Sequence, residues 1–191
     1  EFPVKDYWVT TGILVDFIEA LFFKVFGVSW FSHILHSSIF NALIIVFTFH
    51  TFKIFNLNIF YSFCYSLLFG VLAYPPSGTP FVDHHAILFL LAGGYSLLLG
   101  IKTEKKIYWI ILPWFFGFSF LCKQVPAAYM IILTSMFFLI YFIIKKNFSF
   151  LINFFISSVF FIISIVFFIF YLEISYKDFI TQYILYPPSI G

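Results

Sequence analysis

Charge is what this sequence has least of. Asp, Glu, Lys and Arg make up 9% of its 191 residues, against roughly 25% in an ordinary soluble domain. That scarcity excludes a soluble globular fold, because 63% of the residues are hydrophobic and the mean hydropathy is +1.07. A chain this short has too little interior to hide so much apolar surface, so its solvent must be lipid. Cysteine is nearly absent. Cys64 and Cys122 both fall inside apolar runs, where a thiol behaves as a small hydrophobe, and no disulfide is expected. An initiator methionine, a basic leader and a cleavage site are also missing, for the chain opens Glu1-Phe2-Pro3 and ends in "YPPSIG". It reads as a fragment of a longer membrane protein rather than as a secretory precursor. What abounds is phenylalanine, 33 residues, a side chain that faces lipid readily and that an A/T-rich genome also favours.

Six apolar runs approach the about 20 residues that a spanning helix needs: 33–52, 58–73, 86–101, 107–122, 127–144 and 149–172. Backbone groups cannot stay unpaired in lipid, so each run is expected to be helical. The fold class is therefore all-α, a polytopic transmembrane helix bundle of about six spans, with 1–191 one domain and the spans within 33–172. Lysines orient it, because short cytoplasmic loops collect them. "KTEKK" at 102–106 and "KKN" at 145–147 are separated by two spans and share a side, and Lys53 falls there too. With that side cytoplasmic, residues 1–32, 74–85, 123–126 and 173–191 face the extracytoplasmic space, the last as the start of a loop. Residues 10–27, "TTGILVDFIEALFFKVFG", are apolar but carry Asp16, Glu19 and Lys24. A charge at mid-bilayer costs about 2.5–3.5 kcal/mol on insertion scales, so this stretch is read as an amphipathic helix lying in the interface rather than as a further span.

That orientation gathers Asp6, Asp16, Glu19, Asp83, Glu173 and Asp178 on one face and leaves Glu104 on the other. In "YPPSGTPFVDHHAILF", residues 74–89, Asp83, His84 and His85 stand at the mouth of an apolar run. Asp83 suits N-capping of the helix that follows, and also chemistry. His84 and His85 could join it on a divalent ion. Adjacent helical histidines point about 100° apart, however, and no further ligand stands at metal spacing. No metal is assigned, and a divalent cofactor stays open. His33 and His36, in "SHILHSS", share a face at the outer end of a span, where packing or interfacial hydrogen bonding is expected. Lys123 departs from the lysine pattern by falling outside. It either snorkels to the headgroups or contacts an anion such as a phosphate, with Gln124 beside it as a hydrogen-bond donor.

The stretch "PVKDYWVTTGILVDFIEALFFKVFGVSWFSHILHSSIFNAL" resembles the first extracytoplasmic loop and following span of polytopic GT-C glycosyltransferases, above all the bacterial relatives of protein O-mannosyltransferases and of the aminoarabinose lipid A transferase. "YPPSGTPFVDHHAILFLLAG" and "FLCKQVPA" resemble that family's next loop and span. The resemblance implies a polyprenyl-phosphate-linked sugar as donor, drawn from the outer leaflet of a bacterial cytoplasmic membrane, and no nucleic-acid partner. It implies an extracytoplasmic carboxylate as general base, with expulsion of the lipid phosphate. Asp83 and Asp6 are the candidate catalytic carboxylates. His84, His85, Lys123 and Gln124 are the candidate substrate-binding residues, Lys123 opposing the phosphate charge. The chain departs from the family in two ways. The family's leading acidic motif lies upstream of the stretch matching residue 1, and Asp16 and Glu19 occupy positions that are usually uncharged. The competing reading is a transporter fragment, in which Pro113, Gly117 and Pro126 break helices and Gly93-Gly94 lets them pack closely. Polar residues clustered at one membrane face favour the transferase, since translocation needs them through the depth.

Overall fold

A computed structural model describes residues 3–9, 11–74, 78–145 and 148–186. Residues 75–77 of the proline-rich loop, Lys146 and Asn147 of the lysine loop, and residues 187–191 lie outside the described residues. Among the described residues the chain is all-helical, with loops and one isolated bridge between Pro3 and Tyr7. All six apolar runs are helices: α2 (Trp30–Ile54), α3 (Ile59–Ala73), α4 (Val82–Thr103), α5 (Lys106–Cys122), α6 (Gln124–Lys145) and α7 (Phe148–Tyr171). α2, α4, α6 and α7 are long and apolar enough to cross a membrane, which is compatible with an integral membrane protein. α3 has 15 residues and α5 has 17. At 1.5 Å per residue they reach about 22 and 26 Å, less than an apolar core of about 30 Å. The amphipathic stretch forms α1 (Ile13–Phe26), whose 14 residues are too few to span.

Burial runs opposite to that of a water-soluble protein. α2 buries Ser37, Asn41, Thr48 and Thr51 while exposing Leu43 and Val46. α3 buries Ser62, Ser66 and Gly70, each four apart, and exposes Phe63, Leu67 and Val71. The two helices meet at Asn41, whose Nδ2 donates to the Gly70 carbonyl at 2.7 Å, while Thr48 of the same stripe turns to Tyr95 of α4. Such inversion is what lipid selects, since apolar side chains gain nothing by hiding from it and close backbone approach supplies the packing.

α5 occupies the centre, packed against α4, α6, α7 and α1. The α4–α5 seam is set by three small residues of α4 at seven-residue spacing. The Ala86 carbonyl accepts from Ser119 Oγ at 2.7 Å, Gly93 faces the Phe116 ring, and Gly100 faces the Trp109 indole. Pro113 does not break α5, and Pro126 lies in the first turn of α6, so neither interrupts a helix. Successive helices alternate in direction. Lys53, Lys102, Lys105, Lys106 and Lys145 therefore lie at one end of the bundle with Glu104 and His50, and the other described acidic residues lie at the opposite end with His33, His36, His84, His85, Lys5 and Lys123.

Within the segment read as the start of a loop, residues 176–185 form a short helix, α8 (Tyr176–Phe179), and a π-helical turn over Ile180–Leu185. It is ordered by the N-terminal segment. Gln182 Oε1 accepts from the Val9 amide at 3.0 Å and its Nε2 donates to the Val4 carbonyl at 3.4 Å. Val4, Val9, Ile13, Phe179 and Tyr183 close a shared apolar cluster over the ends of α5 and α7.

Candidate functional site at the histidine end

The polar groups converge where α1, α2 and α4 meet. Two glycines set α1 in place. Gly12, at φ 83°, donates its amide to the Cys122 carbonyl at 2.8 Å, and a Cβ there would collide with Val82. Gly27, at φ 82°, ends the helix in a conformation that L side chains rarely adopt. The Ser29 hydroxyl then caps α2 by accepting from the Ser32 amide at 3.2 Å, and Ser32 Oγ ties back to the Gly27 carbonyl at 2.6 Å. This corner turns one face of α2 toward α1. His33 and His36, three residues apart, both reach Glu19: His33 Nδ1 lies 2.7 Å from Oε1 and His36 Nδ1 lies 2.5 Å from Oε2. The far nitrogen of His36, Nε2, lies 3.0 Å from His85 Nε2, and His85 Nδ1 donates to the Phe81 carbonyl at 3.1 Å. His36 and His85 are wholly buried, with Phe22 stacked on His36 and Phe40 against both rings. The interfacial hydrogen bonding expected of His33 and His36 is thus present, with Glu19 as its centre.

Asp83, His84 and His85 do not act as one group. Successive helical side chains point about 100° apart: His85 turns inward to His36, while Asp83 and His84 line one groove without bonding each other. Asp83 leaves the histidine line for Lys123, whose Nζ donates to Oδ1 at 2.5 Å. It does not cap α4: the cap position is Phe81, without a side-chain cap bond, and Asp83 is the second residue inside the helix. His84 lines a groove of about 390 Å³ between the end of α3 and the start of α4, with Phe69, Leu72, Tyr74, Asp83 and Ile87. Both of its ring nitrogens are buried there without a hydrogen-bond partner. Among the described residues no three His, Cys, Asp or Glu side chains have the geometry to hold a metal ion. The His36 ring stands between Glu19 and His85, so the donors form a line rather than a cage.

Gln124 is committed elsewhere than expected: its Nε2 donates to the Tyr183 carbonyl at 3.0 Å, tying α6 to the tail. Asp6 sits exposed in the turn after Pro3, a turn held to the α7–α8 corner by Lys5, which contacts the Leu172 carbonyl and Glu173 Oε2. Asp16 accepts from Tyr7 Oη at 3.2 Å. Burial pushes its carboxyl above the usual range, the Tyr7 hydrogen bond pulls it down, and the Glu19 charge adds to the rise. From sequence, Glu19 reads with Asp16 as an acceptor-side contact or a departure from the family, and its link to the histidines is missed. Its signal was present as an acidic pair three apart on α1 and a histidine pair three apart on α2, joined by a corner of three residues. Compared with family models, curated proteins and solved structures, the chain matches none.

Proposed function

We propose that the protein is an integral-membrane glycosyltransferase moving a sugar from a polyprenyl-phosphate donor to an acceptor on the extracytoplasmic side. The observation that carries this reading is the meeting of Asp83 and Lys123, forty residues apart in the chain, at the lip of an apolar groove. A membrane anchor without chemistry gives no reason for that convergence. In this reading α2 to α7 all span, the two short helices by local thinning of the bilayer. The lysine end faces the cytoplasm of a bacterial cell, and the histidine end faces outward.

The prenyl chain lies along Phe69, Leu72, Ile87 and Leu88, and its phosphate takes Lys123 from Asp83. The freed Asp83 carboxylate then accepts the proton of the acceptor hydroxyl or amine as that atom attacks the anomeric carbon. The bond from anomeric carbon to phosphate oxygen breaks, and its electron pair leaves on the lipid phosphate, where Lys123 stabilises the charge. His84, with two unpartnered ring nitrogens, hydrogen-bonds the sugar. The charged and imidazole groups sit toward the two ends of the bundle and not at mid-depth, which favours this reading over a translocation path.

Polyprenyl phosphate binding to the full chain in lipid nanodiscs tests it. Loss of one charge-assisted phosphate contact, about 1.5–3 kcal/mol, corresponds to a weakening of roughly tenfold to a hundredfold. Lys123→Met is expected to show it, with Lys145→Met unchanged. Equal affinities for the two variants would remove Lys123, and this reading with it.

A further inference from the structure

We propose that Glu19 and His36 hold a single proton between them, and that this buried proton clasps α1 to the α2–α4 pair and makes the docking of α1 depend on pH. The inference goes beyond the transferase reading and stands apart from it, because neither substrate nor turnover enters its argument or its test.

A hydrogen count along the line carries it. The Phe81 carbonyl has no hydrogen to give, so the 3.1 Å bond puts one on His85 Nδ1. Nε2 of a neutral His85 is then an acceptor, and its 3.0 Å contact puts a hydrogen on His36 Nε2. A neutral His36 has thereby used its one hydrogen, and its Nδ1 lone pair would face Glu19 Oε2 at 2.5 Å. A lone pair and an ionised carboxylate repel at that separation, so a hydrogen must lie between them. The line therefore carries one proton more than ionised Glu19 with neutral His36 and His85. Placing that proton on Glu19, on His36 or on His85 moves it along the line and does not remove it. His33 contributes its own Nδ1 hydrogen to Oε1.

The neighbouring titratable and charged groups do not supply a substitute. Asp16 lies one turn away on α1, and Lys24 is in its last turn. His33 shares the helix of His36. On α4 stand His84 and Asp83, the latter paired with Lys123, and Cys122 closes α5. Tyr61, Cys64 and Tyr65 of α3 lie toward the opposite end of the bundle, and Tyr74 beyond α3 is held by Ser38 Oγ. With His36 wholly buried, no water replaces a missing hydrogen at the 2.5 Å contact. Removing the proton leaves carboxylate against lone pair. A further proton sets imidazolium charges on His33 and His36 against a neutral acid. Both states drive apart the C-terminal half of α1, Leu21 to Phe26, whose side chains make few buried contacts, while Ile13 and Val15 stay packed.

The test uses the full chain in nanodiscs with Cys64 and Cys122 replaced by alanine and spin labels at Val25→Cys and Leu72→Cys. Interlabel distance is followed across pH, and on the wild type without spin labels the five histidines are followed by nitrogen NMR and the Glu19 carboxyl by carbon NMR. On the alkaline side the ratio of docked to released α1 is expected to fall about tenfold per pH unit, the slope of one proton. A doubly protonated imidazole or a protonated carboxyl is expected to vanish over the same interval. Glu19→Gln decides the cause. Its amide nitrogen donates to His36 Nδ1 and its oxygen accepts from His33, so every contact is kept without the extra proton. α1 should stay docked in this variant and lose its alkaline response. A Glu19→Gln protein that titrates like wild type overturns the proposal. So does a wild type with neither doubly protonated imidazole nor protonated carboxyl at neutral pH, a readout that does not require any variant to fold.

Discussion

At the scale of single residues, environment divides side chains of the same type. Glu19 is clamped between two imidazoles, Asp83 is turned to an ammonium, and Asp16 is half-buried beside a phenol. Because Asp16 holds its proton more tightly in the folded protein than in the unfolded chain, its contribution to stability is fully present below the ordinary carboxylate range. That contribution is lost as pH rises through the raised value. Asp16→Asn keeps an acceptor for Tyr7 and removes the half-buried charge. It is expected to melt above wild type at neutral pH and alongside it in acid, as read by thermal unfolding at the two pH values. An equal shift at both would mean that burial is not the cause. The types of the polar residues at this end were legible in the sequence, and so was their common side. Their pairing was not, because Asp83 and Lys123 meet only through the α4–α5 contact and Glu19 meets His36 only through the turn at Gly27.

At the scale of elements, the α4–α5 seam shows what small residues do in a membrane protein. A Cβ at Gly93 would sit 2.5 Å from the Phe116 ring, which is itself buried, whereas a Cβ at Gly94 meets nothing within 4 Å. Gly93→Leu is therefore expected to force the seam apart, at a cost of about 1–3 kcal/mol for overpacking. Gly94→Ala is expected to be neutral or slightly stabilising through helix propensity. Unfolding in detergent measures both, and equal behaviour of the two would deny the close approach. The six apolar runs were readable as helices because a chain in lipid must satisfy its own backbone hydrogen bonds. Their lengths were less so. α2 and α4 begin earlier than their apolar runs, where caps and polar partners rather than hydrophobicity continue the helix. The helical tail was hidden for a related reason: Gln182 gains its partners from Val4 and Val9, at the opposite end of the chain.

At the scale of the whole molecule, the two ends of the bundle are chemically distinct: one carries Lys53, Lys102, Lys105, Lys106 and Lys145 with a lone Glu104, and the other carries the remaining described carboxylates with four of the five histidines. If α2 to α7 all span, cysteines placed at Lys105 and at Glu173 should react with a membrane-impermeant reagent from opposite faces. Reaction from the same face would break the span count and the orientation built on it. The outward surfaces of α6 and α7, with Phe137, Ile140, Phe160 and Phe167 exposed, suit lipid contact and bear no part of the site.

The sequence by itself determined the helical class, the apolar runs that make the chain compatible with a membrane, and the end of the bundle at which most of the carboxylates lie. Each of these depends on composition and on local runs, which need no knowledge of what packs against what. Only the tertiary structure decided that Glu19, not Asp83, gathers the histidines, that Asp83 meets Lys123, and that His84 is left facing a groove. Those outcomes depend on how α1, α2, α4 and α5 are brought together. The angle of one corner and the closeness of one seam set that arrangement, and neither is written in the spacing of residues along the chain.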